Sequence, residues 1–355
     1  MNLVGNKRLL VTGGTGSMGQ TFVRRVLSGE LGVPKKVVVF SRDEAKQHDM
    51  RMRYLNRSVT TDEVIFRNFM NVLEFRIGDV RDYGAVCSAV RDADIVVNAA
   101  ALKQVPTCEY FPQEAIATNC EGPANIVRAI REHGYPVQTV VGISTDKACK
   151  PVNVMGMTKA LQERIFVSAN VLTPGTRFIC VRYGNVLASR GSVIPLFIDQ
   201  IRGGGPLTIT VPGMTRFLLT LGQAVDTVFA ALKGARAGET YIPKAPSATV
   251  SGIARALIGR RRIETRIVGV RPGEKMHEIL VSEEEANHCI ARGTHYVIQP
   301  MLPELRARRD ARLALEREYS SAHHVLNARD TAALLRRHGL MPEQLDAAGG
   351  GELVR

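Results

Sequence analysis

The sequence predicts an α/β fold, with a doubly wound parallel sheet and a smaller C-terminal lobe. Short apolar runs of strand length alternate six times with segments of helical periodicity. A glycine-rich turn joins the first run to the first helical segment. Later in the chain this rhythm gives way to shorter β-like pieces. We therefore assign the chain to a sheet domain (1–185, with 218–236 returning to it), a smaller lobe (186–217 and 237–304) and a helical tail (305–355).

The composition bounds the class of protein. The chain has 355 residues, 45% of them hydrophobic, which is enough for one large α/β unit with an appended lobe. No apolar run is long enough to cross a bilayer, and the N-terminal residues lead straight into a strand, so we expect neither a membrane span nor a signal peptide. Six scattered cysteines without a C-x-x-C pair favour free thiols in a reducing cytoplasm, and we expect no metal site.

The formal net charge is +13 at pH 7. Such a charge is typical of nucleic-acid binding, of attraction for a phosphate-bearing substrate, or of a solvated basic surface. The chain has no tryptophan and few aromatic residues among its basic ones, and its arginines cluster between Arg306 and Arg317. We therefore expect no nucleic-acid partner.

The glycine-rich turn has the spacing of a dinucleotide-binding loop. It runs from Thr12 to Gly19, after the apolar run Lys7–Val11 and before a helical pattern. Glycines allow the tight turn, the close approach of a pyrophosphate and helix–strand packing, and free N–H groups at the helix start favour an anion. This predicts a Rossmann-type domain rather than a purely structural turn. The predicted cofactor contacts in this loop are Gly13, Thr15, Gly16, Ser17, Met18 and Gly19.

The second strand, Lys36–Phe40, ends in Ser41-Arg42-Asp43. NAD-binding domains usually place a carboxylate here, on the ribose 2′-hydroxyl. Ser41 and Arg42 occupy that place instead, and a guanidinium can bind a 2′-phosphate through two hydrogen bonds. The sequence therefore favours NADP over NAD. The alternative is that Arg42 is merely exposed and Asp43 binds the ribose.

The next strands, Leu73–Ile77 and Asp94–Val97, end in further candidate cofactor contacts. The carboxylate after the third strand either contacts adenine or caps the following helix. Small side chains after the fourth strand would let a cofactor lie against the backbone. The polar connection Ser58–Asn71 receives no assignment. The candidates are Asp79, Val80, Ala99, Ala100, Lys103 (which could also face the substrate) and Asn119, within the helical pattern Pro112–His133.

The stretch Ser144-Thr145-Asp146-Lys147 follows the predicted fifth strand, Val137–Ile143. A helical segment from about Asn153 to Ala169 then carries Met155 and Lys159, which share one helix face. Short-chain dehydrogenases carry a Tyr-x-x-x-Lys pair at this place, and here methionine stands at the tyrosine position. Because neighbours on a strand point to opposite faces, the acid and the amine can reach one substrate only if the backbone is irregular there.

Taken together, these motifs resemble the soluble UDP-N-acetylglucosamine 4,6-dehydratases of bacterial polysaccharide synthesis, in the extended short-chain dehydrogenase superfamily. The resemblance spans about residues 7–300. It implies NADP, a UDP-amino-sugar substrate and a homo-oligomer, a dimer or a hexamer. The branch with methionine at the tyrosine position makes a 5-inverted 4-keto-6-deoxy sugar, with epimerisation at C3 left open. The motifs are Thr12–Gly19, Ser41–Asp43, Ser144–Ala148, Pro151–Asn153, Arg182–Val186, Thr215–Phe217, Arg271–Lys275 and, in the tail, Glu318–Ser321.

The resemblance implies that Lys147 is the base at C5 and Asp146 the acid for the departing 6-hydroxyl. Both roles need shifted pKa values, since an ordinary Asp is ionised and an ordinary Lys protonated at neutral pH. We expect a closed pocket to leave a neutral acid and a neutral amine. Because the Met155 thioether is a useless proton acceptor, the C4-hydroxyl proton would pass to a water held by Thr145 and Lys159, or to Asp146.

The lobe supplies candidate substrate contacts. Arginine suits bidentate phosphate binding, so Arg216 and Arg271 are assigned to the pyrophosphate, with Glu274 orienting Arg271 or a ribose hydroxyl. Asn185 and the turn Gly191-Ser192-Val193 would hold uracil or a phosphate. The alternatives are a 5,6-eliminase or epimerase on the same UDP-sugar, or a regulator that binds NADP without chemistry.

Overall fold

The computed structural model describes residues 2–56, 63–187, 192–306 and 312–347. All six predicted strands are present and pair in parallel, within about two residues of their predicted ends. They are β1 (Arg8–Thr12), β2 (Lys36–Ser41), β3 (Leu73–Ile77), β4 (Ile95–Asn98), β5 (Thr139–Thr145) and β6 (Arg177–Tyr183). Their order, β3-β2-β1-β4-β5-β6, reverses direction between β1 and β4 and confirms the doubly wound Rossmann-type sheet.

Nine further strands follow: β7 (Leu207–Ile209), β8 (Thr215–Phe217), β9 (Thr240–Pro243), β10 (Ser247–Thr249), β11 (Thr265–Ile267), β12 (Ile279–Val281), β13 (Cys289–Arg292), β14 (His295–Ile298) and β15 (Tyr319–Ser320). Three of them, β9, β14 and β13, extend the main sheet to nine strands beyond β6. The assignment of all of 237–304 to the smaller lobe is therefore wrong for these strands. Strand β9 pairs with the edge that β6 would otherwise expose, and β14 and β13 continue the sheet from β9.

Helices cover both faces of the sheet and build the lobe. The long helical pattern Pro112–His133 is confirmed as one continuous segment, with a π-helical turn at Ala117–Glu121. The helices are α1 (Ser17–Leu27), α2 (Glu44–Leu55), α3 (Glu63–Val72), α4 (Tyr83–Val90), α5 (Val105–Tyr110), α6 (Pro112–Ile116), α7 (Gly122–His133), α8 (Val154–Leu172), α9 (Val193–Arg202), α10 (Leu221–Gly234), α11 (Val250–Ile258), α12 (Glu283–Ala286), α13 (Ala328–Arg337) and α14 (Pro342–Ala347).

Helix α3 lies in the polar connection that received no assignment. Its buried Asn68 donates a hydrogen bond to the Leu27 carbonyl at the end of α1, 2.7 Å away. Phe69 of α3 stacks on Tyr54 of α2. The helix is therefore stabilised by contacts with neighbouring helices, and these contacts could not be predicted from its local sequence. The start of the connection, residues 57–62, lies outside the described residues.

The core forms two apolar layers, one on each face of the sheet. Along β1, Leu9 and Val11 pack on one side with Phe22, whereas Leu10 packs on the other with Phe40. Such strands are apolar along their whole length because both faces are covered by helices. The sheet is thus a rigid platform whose strand ends carry the site.

The lobe has its own core, in which Phe197 of α9, Ile253 of α11 and Leu335 of α13 are fully buried. The prediction of a wholly helical tail is wrong, because Tyr319–Ser320 pairs with β12 before the chain enters α13. Residues 348–355 and the arginines Arg308 and Arg309 lie outside the described residues. Within the described part of the chain, no helix combines the length and apolarity needed to cross a membrane.

Candidate active site

The glycine loop between β1 and α1 is packed as tightly as its sequence predicts. A Cβ at Gly13, whose φ is +65°, would lie 2.6–2.7 Å from the Ala99–Ala100 backbone. A Cβ at Gly19 would lie 2.6 Å from the Gly14 Cα. At Gly16 such an atom would meet only the Gly13 carbonyl, and Gly16 caps α1 without a side-chain hydrogen bond. The loop therefore leaves the helix start open to an anion, as a dinucleotide requires.

The other loop residues have mixed roles. The Thr15 hydroxyl is hydrogen bonded to the Ser41 hydroxyl, 2.9 Å away, and joins the loop to the end of β2. Met18 packs against the core, and the Ser17 carbonyl accepts a hydrogen bond from Thr21. These contacts help to fix the loop.

The end of β2 places one guanidinium in the open. The Arg42 side chain is 59% exposed, and its Nη1 lies 3.6 Å from Asp79 Oδ2. Asp43 caps α2 and pairs with Lys46. Its carboxylate is therefore engaged at the start of α2, and the alternative in which it binds a ribose stays a prediction.

Asp79 is not the cap of α4, since Asp82 accepts the hydrogen bond from the Ala85 N–H. The Asp79 carboxylate instead accepts three hydrogen bonds from Arg81 and faces Arg42. These partners hold the pKa of Asp79 below its ordinary value despite partial burial, which opposes ionisation. Val80 is buried in the core beside Gly122.

Asn119 lies deeper than a ligand contact would require. It is fully buried in the π-helical turn, and its amide group bonds both the N–H and the carbonyl of Leu102, at 2.8 and 2.9 Å. It also donates to the Thr158 hydroxyl on α8. It thereby fixes the segment that runs from Ala99 and Ala100, both half-buried, to Lys103, which is exposed. The Asn98 amide nitrogen at the end of β4 is buried without a partner.

The predicted irregular backbone after β5 is present. The strand ends at Thr145, and Asp146–Ala148 form a single 3₁₀ turn. This turn brings Lys147 Nζ to 3.1 Å from Asp146 Oδ1. The same amine lies 3.1 Å from Glu278 Oε1, just before β12. Thr145 donates a hydrogen bond to Asp146 Oδ1, so that one oxygen has two partners.

Asp146 and Glu278 are buried and the Lys147 side chain is 22% exposed, so the loss of solvation shapes the electrostatics of this cluster. Asp146 is fully buried, and the loss of solvation raises its pKa above the ordinary value. Burial alone would lower the pKa of the Lys147 amine, but the charges of Asp146 and Glu278 outweigh it and raise that pKa. Burial of Glu278 opposes ionisation, yet Lys147 and Arg216 lower its pKa. Without a bound sugar, the two carboxyl groups therefore favour the protonated amine, and the neutral amine expected in a closed pocket stays a prediction.

Met155 and Lys159 lie one turn apart on α8, as predicted. Met155 is 5% exposed and packs against Cys108 and Ala115. Lys159 Nζ donates to the Ile143 carbonyl and to Gln162 Oε1, and burial lowers its pKa to about 8. A lysine so tuned gives up its proton more readily than a solvated one.

The predicted substrate residues separate into two groups. The buried Arg216 guanidinium donates to the carbonyls of Thr215 and Lys275 and lies 3.8 Å from Glu278 Oε1. It therefore supports the segment that carries Glu278 rather than an open phosphate site. Arg271 is exposed. It begins a turn whose Gly273 carbonyl accepts a hydrogen bond from Asn153, at the start of α8.

Several polar atoms around these residues are buried without a partner. Such atoms are costly unless something else bonds them, so a cluster of them indicates a ligand. Val193 begins α9 after Ser192, and Gly191 lies outside the described residues. A cavity of about 570 Å³ is lined by residues 273–277 together with Val152, Ile279, Glu318, Ser320, Ala322 and His323. The unpartnered atoms near the site are Asp146 Oδ2, Glu278 Oε2, Asn185 Oδ1, Ser192 Oγ and Glu274 Oε2.

Sequence reasoning missed two sets of residues. One is Glu278, which lies far along the chain from Lys147 and carries no motif of its own. The other is a buried ionic group in which Arg182 of β6 binds Glu163 of α8 and Glu285 of α12. The only signal for it was the position of Arg182 in an otherwise apolar strand. Within the described residues, no group of side chains has the makeup of a metal site.

Comparison with known proteins places the chain in a family. The family model described as polysaccharide biosynthesis protein matches residues 9–300. A UDP-glucose 4-epimerase of Rickettsia typhi is 41% identical over 355 residues, covering 97% of this chain and 99% of the relative. One of Rickettsia conorii is 46% identical over 285 residues, 79% of each chain.

Solved structures agree with this placement. Pen from Bacillus thuringiensis superposes with a TM-score of 0.84 at 33% identity, covering 95% of this chain and 99% of that one. DesIV, a dTDP-glucose 4,6-dehydratase from Streptomyces venezuelae with NAD bound, gives 0.63 at 24% identity over 76% of this chain and 86% of its own, a likeness of fold alone. The chain thus belongs to the polysaccharide biosynthesis protein family and has the Rossmann-type fold of its structural neighbours.

Proposed function

We propose that this protein is an NADP-dependent 4,6-dehydratase that converts UDP-N-acetylglucosamine to a UDP-4-keto-6-deoxy sugar. The observation that carries the proposal is the buried cluster after β5, in which Lys147 Nζ lies 3.1 Å from both Asp146 and Glu278. Inversion at C5, and a further epimerisation at C3, are extensions suggested by the resemblance to the branch with methionine at position 155.

The cluster favours dehydration over a simple change at C4. Epimerisation at C4 moves one hydride and one hydroxyl proton, so it needs one acid–base group beside the cofactor. Loss of water across C5 and C6 needs in addition a base for the C5 proton and an acid for the departing hydroxyl. Asp146 and Lys147 add those groups, and burial raises the pKa of Asp146, which favours its acid form.

The residues of the sheet domain fit NADP. The glycine loop would hold the pyrophosphate at the start of α1, and the exposed Arg42 would bind the 2′-phosphate. Asp79 lies beside it, toward the adenine end. When bound there, the nicotinamide of NADP would supply the hydride acceptor for C4 of the sugar and the hydride donor for C6.

Oxidation at C4 also releases the hydroxyl proton, which Met155 does not accept. Two routes were left open by the sequence, through Asp146 or through a water held by Thr145 and Lys159. The lowered pKa of Lys159, about 8, supports the second route. Asp146 fits the first route less well, because burial raises its pKa and disfavours the carboxylate that would accept the proton.

The cluster of Asp146, Lys147 and Glu278 then carries out the elimination of water. The 4-keto group acidifies the C5–H bond, and Lys147 removes that proton. Asp146 protonates the 6-hydroxyl, which leaves as water. The unpartnered oxygens of Asp146 and Glu278 support this arrangement, since both are buried and available to a bound sugar.

The nucleotide half of the substrate would bind across the lobe. Asn185 and Ser192 carry buried, unpartnered oxygens and could bond uracil or a phosphate. Arg271 is exposed beside the start of α8 and suits the pyrophosphate, with Glu274 next to it. Arg216 is assigned the supporting role that its backbone contacts favour.

Two further proposals concern the assembly and its setting. We infer a homo-oligomer, a dimer or a hexamer, which the exposed apolar side chains of Tyr110, Met157 and Leu161 on α5 and α8 support. Sedimentation of the full chain tests it. All six cysteines are free thiols, which supports a reducing, cytoplasmic setting.

The test is incubation of the full chain with UDP-N-acetylglucosamine and NADP, followed by NMR of the products. A 4-keto-6-deoxy sugar with a C6 methyl group is expected. Lys147→Met is expected to lower the kcat for this product about a hundredfold or more. Full turnover in that variant would refute the assigned base.

A second candidate is a UDP-sugar 4-epimerase. It is favoured by the name of the Rickettsia relatives, at 41–46% identity, and by the presence of Lys159 beside the predicted cofactor site. The same NMR experiment separates the two, because an epimerase returns a 4-epimer that retains its 6-hydroxyl. That product alone would overturn the dehydratase proposal.

A further inference from the structure

Glu278 is the least expected member of the buried cluster. It is 2% exposed, and one of its oxygens, Oε1, lies 3.1 Å from Lys147 Nζ. Its other oxygen, Oε2, is buried without a hydrogen-bond partner. The Ser321 hydroxyl accepts a hydrogen bond from the Glu278 N–H, and the Ser321 N–H donates to its carbonyl. The residue is thus held at its backbone, while its carboxylate is directed at the amine.

The charged groups around Glu278 come from three elements. Lys147 and Asp146 approach from the 3₁₀ turn after β5, and Arg216 approaches from β8, with Nε 3.8 Å away. Lys275 lies on the same segment and donates to the Cys149 carbonyl, while burial lowers its pKa. The His277 ring, next in sequence, bonds Thr215 instead. Lys147 is therefore the cation in hydrogen-bond contact with the Glu278 carboxylate.

The lysine lies at equal distance from two carboxyl groups, and one of them must supply a proton to the substrate. If Asp146 were the only counter-charge of Lys147, the ammonium would draw Asp146 into its ionised form and the acid would be lost. With Glu278 ionised and Lys147 protonated, these two groups form a neutral pair without Asp146, and burial then favours the uncharged form of Asp146.

We propose that Glu278 is the third member of a proton relay: it balances the Lys147 ammonium so that Asp146 keeps its proton, and it receives the Lys147 proton when the sugar is bound. The proposal rests on the dehydratase function proposed above. Glu278 acts through Lys147 and is a positioning residue in this scheme.

The steps balance. An N–H bond of Lys147 breaks and an O–H bond forms on Glu278, which leaves a neutral amine and two neutral carboxyl groups. The amine lone pair takes the C5 proton, and the C–H electron pair becomes the C5–C6 double bond. The C6–O6 bond breaks as Asp146 passes its proton to that oxygen, and water leaves. Lys147 ends as ammonium, Asp146 as carboxylate and Glu278 as acid, so the sum of charges is zero throughout.

A direct test follows the Asp146 proton in the full chain without substrate. Infrared difference spectra resolve a buried protonated carboxyl group, and its loss in Asp146→Asn assigns it. In Glu278→Gln the titration midpoint of this group is expected to fall by about one pH unit or more, because a neighbouring negative charge is removed. An unchanged midpoint would overturn the proposal.

Two control variants test whether the shift of the Asp146 midpoint is a charge effect. Glu283→Gln removes a carboxylate that is 66% exposed and paired with Lys150, and it should leave the midpoint where it is. Glu278→Asp keeps the charge, so its midpoint should stay within about half a unit of the original, even if the glutamine variant fails to fold. A fall in Glu278→Asp as large as the one expected for glutamine would contradict a charge effect.

A kinetic test uses the pH profile of deuterium uptake at C5 in heavy water. Glu278→Gln should lower kcat about a hundredfold near neutral pH with KM little changed, and the high-pH limb should move to lower pH. An equal loss at every pH would mean a merely structural role and would overturn the relay. If the unaltered chain gave no 4-keto-6-deoxy product, the dehydratase function would fail while the infrared result still stood.

Discussion

Asp146 and Lys147 are neighbours in the sequence, yet both reach one point in space. Strand geometry forbids this, and the 3₁₀ turn that begins at Asp146 permits it. The sequence could predict that turn because the chemistry required it. It could not predict Glu278, whose approach depends on how the lobe docks against the end of β5.

Arg42 gives a test of cofactor choice at the residue scale. Its guanidinium is 59% exposed beside Asp79, and Asp43 is engaged as a helix cap. Arg42→Ala should weaken NADP binding by about tenfold to a hundredfold, through loss of charged hydrogen bonds, and leave NAD binding little changed. Calorimetric titration with both cofactors measures this. Arg53→Ala, on the following helix α2, serves as the control, and equal losses for both cofactors would count against a 2′-phosphate site.

Lys159 gives a test of the pH dependence of stability. Burial lowers its folded pKa to about 8, from an ordinary 10.5. Between these values the unfolded chain holds a proton that the folded chain lacks, so this residue makes stability rise with pH by about 1.4 kcal/mol per unit. Lys159→Met should lose that slope, and urea unfolding at several pH values measures it.

The outcome depends on the burial of the amine. Lys233→Met, at an exposed position on α10, should keep the original slope. Below about pH 8 Lys159 is protonated in both the folded and the unfolded chain. The original chain and Lys159→Met should therefore show the same slope of stability against pH in that range. A slope unaltered by Lys159→Met across the whole window would mean that the amine is solvated.

At the scale of elements, α8 shows why the tyrosine position holds methionine. Met155 is 5% exposed and lies against Cys108 and Ala115, in a small apolar cluster. A tyrosine there would add volume and bring a hydroxyl that needs a partner. Met155→Tyr should therefore keep the fold but lose about 1–3 kcal/mol in the free energy of unfolding.

Urea unfolding of Met155→Tyr beside Met157→Tyr checks this. Met157 lies two residues on along the same helix, is 48% exposed and should accept tyrosine with little change. If the two variants proved equally stable, the cluster around Met155 would have room for the ring.

The elements also show where sequence reasoning ends. Strand positions, the glycine loop and α8 follow from local patterns, because buried parallel strands and a glycine turn leave clear marks. Helix α3 has a weaker sequence pattern, because it is stabilised by contacts with other helices, such as that of Asn68 with α1. Asn119 was predicted at a ligand and instead clamps Leu102, a role that depends on which helices meet.

At the scale of the molecule, one arginine joins the sheet to the lobe. Arg182 is 2% exposed on β6 and makes paired hydrogen bonds to Glu163 and to Glu285. Burial of Glu285 opposes ionisation, yet the guanidinium lowers its pKa to about 2. Because this folded pKa lies below the ordinary 4.5, the stabilisation is present above about pH 4.5 and is lost as pH falls toward 2.

Arg182→Met should cost about 3–5 kcal/mol in the free energy of unfolding, because two buried carboxylates lose their counter-charge. Arg25→Met is the matched control, since Arg25 also binds two carboxylates, Glu30 and Asp226, but at the surface. Its loss should stay below about 1 kcal/mol. Since Glu285 adjoins β12 and the Glu278 segment, Arg182→Met should also lower kcat, and equal costs for the two arginines would mean that water reaches the buried group.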